Sequence, residues 1–449
     1  MSSQRYQSWG RVEPPTQAAR ALYWRDEPLP IDAADGASYL PFGNGRSYGD
    51  VCLNDGGTLL DCRHLNRLIH FDAEQGTLRC EAGVLLADIL RFVTERGWFV
   101  PVSPGTQYVT VGGAIANDVH GKNHHRAGTF GQHLRCFELL RSDGQRLLCS
   151  ATDNSDFFRA TIGGLGLTGV ITWAEFSLRA IDNVFIDQES IRYSDLNEFF
   201  ALARESDQHF EHTVAWIDCL ATGAQLGRGL FMRGNHSSGE NPPHQSPQKS
   251  PRQLPPRRRL ALPFTPPFAL VNGPGLKLFN ALYYRRQRSA QVHSRVHYQR
   301  FFYPLDAIAH WNRMYGPRGF YQYQCVLPEA TMEGATRQML ERIASAGAGS
   351  FLATLKLFGN RPSPGLLSFP MPGATLALDF PNQGDKTLRL LDALDRVTLD
   401  AGGRVNPSKD GRMSAAAFQQ SYPNWDEMNA YKDSRLSSSF WRRVSGEAA

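Results

Sequence analysis

Three glycine-rich stretches in the N-terminal part of the chain carry residue types that could handle a phosphorylated ligand. The first is Pro41-Phe42-Gly43-Asn44-Gly45-Arg46-Ser47-Tyr48-Gly49-Asp50-Val51. The second is Pro104-Gly105-Thr106, followed by Thr110-Val111-Gly112-Gly113-Ala114. The third is Ile162-Gly163-Gly164-Leu165-Gly166-Leu167-Thr168-Gly169. Without a Cβ, glycine lets backbone N–H groups approach phosphate oxygens closely, so clustered glycines can cradle a pyrophosphate. Arg46 and the hydroxyls of Ser47, Thr106 and Thr110 add donors. Taken singly, each stretch reads first as a turn. No stretch has the order strand, GxGxxG, helix and distal acid, and GxxxxGK[ST] is absent, so a dinucleotide would need a non-Rossmann cradle.

His120-Gly121-Lys122-Asn123-His124-His125 has the composition of a metal site. No carboxylate stands at ligand spacing, and adjacent loop histidines rarely face one ion, so a loop packing on a cofactor or on the core is the plainer reading. A Ser/His/Asp hydrolase lacks its GxSxG elbow. Candidates in the second half are Trp216, Gln322, Tyr323, Gln324, Lys356 and Lys409, each of which has an ordinary structural reading as well. Lys356 lies in Ala353-Thr354-Leu355-Lys356-Leu357-Phe358, where alternation sets it opposite Leu355 and Leu357. That alternation by itself predicts a solvated lysine. On a covered face the same lysine would be desolvated, with the lowered pKa that a base or phosphate binder needs.

The elements that must position these residues differ between the two halves. Upstream, Thr58–Asp61, Arg67–Phe71, Thr77–Glu81 and Gly169–Leu178 read as strands. Val84 to Arg96 has helical periodicity stopped by Gly97, and Phe137–Arg141 with Arg146–Cys149 flank an Asp-Gly turn as a hairpin. Downstream the order is strand Tyr321–Val326, helix Ala330–Ala346, strands Phe351–Leu357 and Thr375–Phe380, helix Asp385–Ala401 and strand Arg404–Asn406. This β-α-β-β-α-β order predicts a split-βαβ, ferredoxin-like antiparallel sheet, and the fold class is α+β.

The chain has 449 residues, 41% hydrophobic and 20% charged, enough for two or three domains. No apolar run reaches membrane-span length, and the N-terminus shows no secretory h-region. Seven cysteines without a CxxC pair argue against a disulfide framework and a zinc site, and fit a reducing, cytoplasmic compartment. The net charge of +5 is unevenly spread. Asn241 to Leu305 holds eleven Lys or Arg and no Asp or Glu, leaving the rest of the chain at −6. Ten of the 27 prolines fall between Asn241 and Gly275. This stretch reads as a mobile basic loop. Arg257, Arg258 and Arg259 precede apolar Leu260, Leu262, Phe264 and Phe268, so it is either a solvated linker or a contact for anionic lipid at the inner membrane. The segment carries no DNA or RNA motif.

Taken together, GRSYGD, then PVSPGTQYVTVGGAIANDVHGKNHH, then IGGLGLTG resemble the vanillyl-alcohol-oxidase-type (PCMH) FAD-binding oxidoreductases. Within these, the chain is similar to the decaprenylphosphoryl-β-D-ribose 2-oxidase family over nearly its whole length. The likeness includes Ser8–Arg11, Ala215–Asp218, Trp311–Pro317, Gly319–Gln324, Lys356–Gly359, Asp379–Pro381 and Ser408–Asp410. The resemblance implies an FAD-binding domain over 1–180. A substrate domain over 181–403 follows, with the basic loop at 236–275, and 404–449 returns to the FAD domain. It implies FAD contacts from Pro41–Val51, Gly105, Thr110, Val111, Gly112, Gly113, Asn117, Asp118, Val119, His120, Ile171 and Asn406. It implies a substrate face of Trp216, Phe302, Gln322, Gln324, Lys356, Asp379 and Lys409.

The implied reaction is FAD-dependent oxidation of the ribose 2-hydroxyl of a polyprenyl-phosphoryl ribose to the 2-keto form. A partner NAD(P)H-dependent short-chain reductase would complete an epimerisation to the arabinose form, a step of cell-wall arabinose biosynthesis. The alternative is a soluble alditol or aldonolactone oxidase on the same fold. Related oxidases often tether FAD through a histidine in the first glycine loop. Ser47-Tyr48 stands there instead, so non-covalent FAD is expected. The sequence also departs from the family pattern. Ala377 and Asn117 stand where cysteines are usual, and Phe302 and Asn406 where tyrosines are. Removing hydride from carbon also removes a proton from oxygen, so a group with a pKa near the working pH must accept it. Lys409 is the first candidate for that role or for steadying the flavin's charge, and Lys356 for the phosphate or the hydroxyl.

Overall fold

The computed structural model describes residues 6–12, 14–32, 36–238, 260–271 and 273–447. A small parallel sheet opens the fold. Its central strand, Thr58–Asp61, is buried throughout and pairs with Ala18–Ala21 and Tyr39–Phe42. The Tyr39–Phe42 strand, buried at Tyr39, Leu40 and Phe42, runs directly into the first glycine stretch and anchors that loop. A five-stranded antiparallel sheet follows, in the order Leu68–Asp72, Thr77–Glu81, Val170–Ser177, Leu134–Leu140, Arg146–Ser150. The expected hairpin and strands are there. The helix Leu86–Val93 buries Leu86, Ile89, Leu90 and Val93, the periodic positions of the sequence, and the chain leaves it at Gly97 with φ +82°.

The split βαβ unit also forms as expected. Strands Thr354–Phe358, Gly373–Pro381, Phe320–Pro328 and Arg404–Val405 lie side by side in that order, all antiparallel, with helices Met332–Ser345 and Asp385–Asp400 between them in sequence. The sheet is larger than the sequence suggested. His212–Ile217, Gly229–His236, Phe185–Tyr193 and Gln291–His297 extend it to eight strands, joined where Ala215 and Trp216 pair with Leu355 and Thr354. Strands such as Phe185–Tyr193 and Gln291–His297 are largely polar, and so give little apolar alternation to read.

The two faces of this sheet differ in kind. Tyr323, Cys325, Leu355, Leu357, Ala374, Leu376 and Leu378 join Met339, Ile343, Leu391 and Leu394 in one hydrophobic core. The alternate residues of the same strands, Gln322, Gln324, Lys356, Thr375, Ala377 and Asp379, therefore share the opposite face. The register sets Gln322 beside Asp379 and Lys356 beside Thr375. That second face looks toward the glycine stretches.

The C-terminal segment locks the two parts. Helix Ser439–Ser445 lies on the turn Asp50–Cys52, and Arg443 pairs with Asp50 at 2.7 Å and Asp410 at 3.1 Å. Of the basic Pro-rich stretch, residues 239–259, including Arg257, Arg258 and Arg259, lie outside the described residues. Leu260–Ala261 pairs with Ile308–Ala309, and helix Gly273–Arg285 follows. Among the described residues, no helix is long and apolar enough to cross a membrane.

Candidate active site

A cavity of about 780 Å³ lies between the glycine stretches and the polar face of the eight-stranded sheet. From the first side it is lined by Pro41 through Tyr48, Val51, Gly105, Thr110, Gly112, Gly113, Asn117, Val119, His120 and Ile171. From the sheet come Trp216, Gln322, Gln324 and Lys356, and from neighbouring segments Phe302, Asn406 and Lys409. Residues far apart in sequence thus meet in one space.

Five expected site residues stand back from the wall. A Cβ on Gly49 would lie 1.5 Å from the Asp410 carbonyl oxygen, so this glycine serves loop contact with the C-terminal segment. Asp50 is taken by Arg443. Val111 is buried in the core beneath its helix. Asp118 accepts from Gly131 N at 2.9 Å, Ser368 Oγ at 2.6 Å and the Ser363 hydroxyl, which leaves it structural. Asp379 acts from behind, accepting from Gln322 Nε2 at 2.7 Å.

The lysine expected to face solvent does not. Lys356 Nζ reaches into the cavity, 3.0 Å from the Gly121 carbonyl and 3.1 Å from His120 Nδ1. Desolvation lowers its pKa to about 7, helped by the charges of Lys122 and Lys409. Lys409 lies over the Tyr48 ring at 4.2 Å. Desolvation pulls it to about 8, against the opposing pull of Asp379. Burial in turn raises Asp379 to about 7, against its bond from Gln322 and the Lys409 charge. Gln324 Nε2 contacts His120 Nε2 and Thr375 Oγ1, both at 3.2 Å, and Gln324 Oε1 accepts from Asn406 Nδ2 at 3.0 Å. The three histidines of the HGKNHH string disperse. His120 enters this network, His124 packs on Phe358 at 4.5 Å, and His125 Nε2 contacts the Phe210 carbonyl.

Several wall residues went unread in the sequence. Lys122 sits inside the HGKNHH string, lines the cavity, and donates to the Phe302 carbonyl at 3.0 Å. Burial lowers it to about 8. Its charge among small and aromatic neighbours was the available signal. Asp306 ties the second glycine stretch down, accepting from Thr106 Oγ1 at 2.7 Å and Gln107 N at 3.0 Å. Tyr283, Arg286 and Arg300 line the cavity from the second half of the basic segment, for which the sequence offered no reading.

The wall fits a flavin dinucleotide. A Cβ on Gly105 would meet nothing within 4 Å, so this backbone borders open space. Asn117 Oδ1 is shielded at the cavity without a protein partner, an acceptor left for a ligand. Arg46 adds a cation, 4.2 Å over the Trp9 ring.

Comparison with known proteins agrees. Residues 32–150 match an FAD-binding-domain family model, so the chain is an FAD-binding oxidoreductase. It is 36% identical over 436 residues to the decaprenylphosphoryl-β-D-ribose oxidase of Mycolicibacterium smegmatis, covering 95% of this chain and 93% of that protein. An uncharacterized Streptomyces coelicolor protein from the 5′ region of mprA is 33% identical over 77% of this chain and 94% of its own length. Mouse L-gulonolactone oxidase is 32% identical over 29% of each chain. The chain belongs to the decaprenylphosphoryl-β-D-ribose oxidase family.

Proposed function

We propose that this enzyme oxidises the ribose 2-hydroxyl of a polyprenyl-phosphoryl-β-D-ribose to the 2-keto form. The observation that carries the reading is the single continuous cavity, with the glycine stretches on one wall and the Lys356, Lys409, Gln322 and Gln324 face on the other. FAD, held non-covalently by the glycine stretches, supplies the two-electron acceptor when bound. The first glycine stretch contains no His or Cys to form a tether. The chain's own residues orient the sugar, exclude water and take up the hydroxyl proton. Gln322 offers hydrogen bonds to sugar hydroxyls, Gln324 orders the polar face around His120, Trp216 walls the cavity, and the lysines handle charge and proton.

The lipid part of the substrate exits along helix Gly273–Arg285 in this reading. Tyr283 on this helix and Arg286 just beyond it line the cavity, while Leu278, Phe279 and Leu282 on the same helix are exposed. Leu260, Phe264 and Phe268 are exposed nearby in sequence. An apolar surface beside arginines suits a peripheral contact with an anionic bilayer. The 2-keto product then passes to a NAD(P)H-dependent reductase that returns the arabino epimer.

The test is product analysis. Enzyme, polyprenyl-phosphoryl ribose and an electron acceptor are incubated, and the product is trapped with borodeuteride. Deuterium at C2 in ribo and arabino products is the expected result. Deuterium at another carbon, or no conversion beside rapid oxidation of free alditols, would overturn the reading.

A further inference from the structure

The polar chain behind Lys356 has a direction that its donors and acceptors determine. It starts at a backbone group whose role cannot change. Ser408 N donates to Asn406 Oδ1 at 3.0 Å, and Ser408 Oγ lies 2.9 Å from the same oxygen. Turning the Asn406 amide over would set two donors against each other, so its Nδ2 must point the other way, to Gln324 Oε1 at 3.0 Å. With that carbonyl fixed as acceptor, Gln324 Nε2 is the group that meets His120 Nε2 at 3.2 Å and Thr375 Oγ1 at 3.2 Å. An amide nitrogen only donates, so His120 Nε2 must accept. A doubly protonated imidazole has no acceptor there, and burial with nearby Lys356, His124 and Lys409 already holds His120 neutral. The remaining proton of the ring is therefore on Nδ1.

His120 Nδ1 lies 3.1 Å from Lys356 Nζ. An ammonium has three donors and no lone pair, so Nδ1–H against Lys356–NH3⁺ would again be donor on donor. A neutral amine meets both contacts: its lone pair faces Nδ1–H and one of its own hydrogens goes to the Gly121 carbonyl at 3.0 Å. We infer that the Ser408–Asn406–Gln324–His120 chain holds Lys356 as a neutral amine, which makes Lys356 the base that accepts the substrate's hydroxyl proton. The inference rests on the alcohol-oxidation reading above. In the step, the amine turns its single lone pair from His120 Nδ1–H to the substrate hydroxyl, giving up that contact; the O–H bond breaks and an N–H bond forms on Nζ. The C–H electron pair would leave as hydride, for which bound FAD would supply the acceptor, and C=O forms. Lys409 takes the complementary part. It stands with Asp379, whose charge favours the ammonium, and so remains the cation of the site. His120, Gln324 and Asn406 act through Lys356 and are positioning residues. Asn406 stands where the family resemblance places a tyrosine, so this wiring belongs to this chain.

The charged and titratable groups that face Lys356 are Lys122 and Lys409, with His120, His124 and His125 nearby. All of them disfavour added positive charge or are neutral, which agrees with the hydrogen-bond direction.

The test measures lysine protonation directly on the FAD-loaded enzyme without substrate. Each lysine is titrated by competitive acetylation between pH 5.5 and 10.5 and read by peptide mass spectrometry. Lys356 is expected to titrate near 7. In Gln324→Leu, His120 is free to carry its proton on Nε2 and accept from Lys356 at Nδ1. The Lys356 midpoint should then move up by about one pH unit, a tenfold lower proton concentration, while Lys409 stays in place. Asn406→Ala frees Gln324 to turn and should give the same shift, so it carries the test if the first variant does not fold. A wild-type Lys356 that titrates as an ordinary lysine, or a midpoint unmoved in a folded variant, would overturn the inference. Because no substrate is present, a wrong substrate assignment leaves this result untouched. Conversely, a shifted Lys356 in an enzyme that fails the deuterium-trapping test would separate the two readings.

Discussion

Lys122→Met offers a quantitative test of the electrostatics around Lys356. Lys122 is desolvated, and its charge is one of the causes that lower Lys356 to about 7. Two like charges about 10 Å apart, at an effective dielectric near 20, interact by roughly 1–2 kcal/mol, or about one pKa unit. Removing the Lys122 charge should therefore raise Lys356 from about 7 to roughly 8. If the neutral amine is the base, its fraction at pH 7 falls from about a half to about a tenth. Flavin reduction at pH 7 should slow roughly fivefold, while the rate at pH 9.5 stays near wild type. The assay is anaerobic single-turnover stopped flow, following flavin bleaching between pH 6 and 9.5. The variant also loses the bond to the Phe302 carbonyl, about 1 kcal/mol, so the melting temperature should be recorded alongside. A slowdown of equal size at every pH, with the acidic limb in place, would refute the reasoning.

Other outcomes follow from the same structure. Lys356→Met should stop substrate oxidation and stabilise the fold at pH 7 by about 1–3 kcal/mol. Lys356 has a folded pKa near 7, below its unfolded value, so its cost is fully present below pH 7 and fades as pH rises toward 10; the gain in melting temperature should fade in step. Gly49→Ala, with its Cβ 1.5 Å from the Asp410 carbonyl, should displace the first glycine loop and lose flavin, whereas Gly105→Ala should keep a wild-type melting temperature; absorbance at the flavin bands and thermal melts decide both. Arg443→Met leaves buried Asp410 and partly buried Asp50 without their partner and should cost about 2–3 kcal/mol in denaturant unfolding. Acid precipitation should release the flavin into the supernatant, and colour retained in the pellet would contradict a non-covalent site.

The glycine stretches were legible because their chemistry is local: a loop that lets backbone approach a ligand must be written in glycine. The split βαβ unit was legible because Leu388, Leu391 and Leu394 repeat at helical spacing and because Leu355, Lys356 and Leu357 alternate at strand spacing. Parity set Lys356 opposite Leu355 and Leu357, and the family resemblance gathered Gln322, Gln324, Lys356 and Asp379 into one substrate face. Parity could not say that the face is covered, since the covering residues, His120 through Lys122 and Asn406, come from distant segments. Lys356 therefore read as solvated when it is enclosed. Gly49, Asp50, Val111 and Asp118 belong to matching motifs but point into the scaffold, a distinction that motif position does not carry. Residues Tyr283, Arg286 and Arg300 lie in a basic stretch without a motif, so nothing in it marked them. The polar strands Phe185–Tyr193 and Gln291–His297 lacked the alternation that marks a half-buried strand.

The central claim is tested most directly by anaerobic titration of the purified, FAD-loaded enzyme with polyprenyl-phosphoryl-β-D-ribose, monitored at the flavin absorbance band. The account predicts bleaching that is complete at about one substrate per flavin, with free ribose and alditols leaving the spectrum unchanged at the same concentration. A flavin that stays oxidised with the lipid-linked sugar, or that is bleached equally by a free alditol, would contradict it.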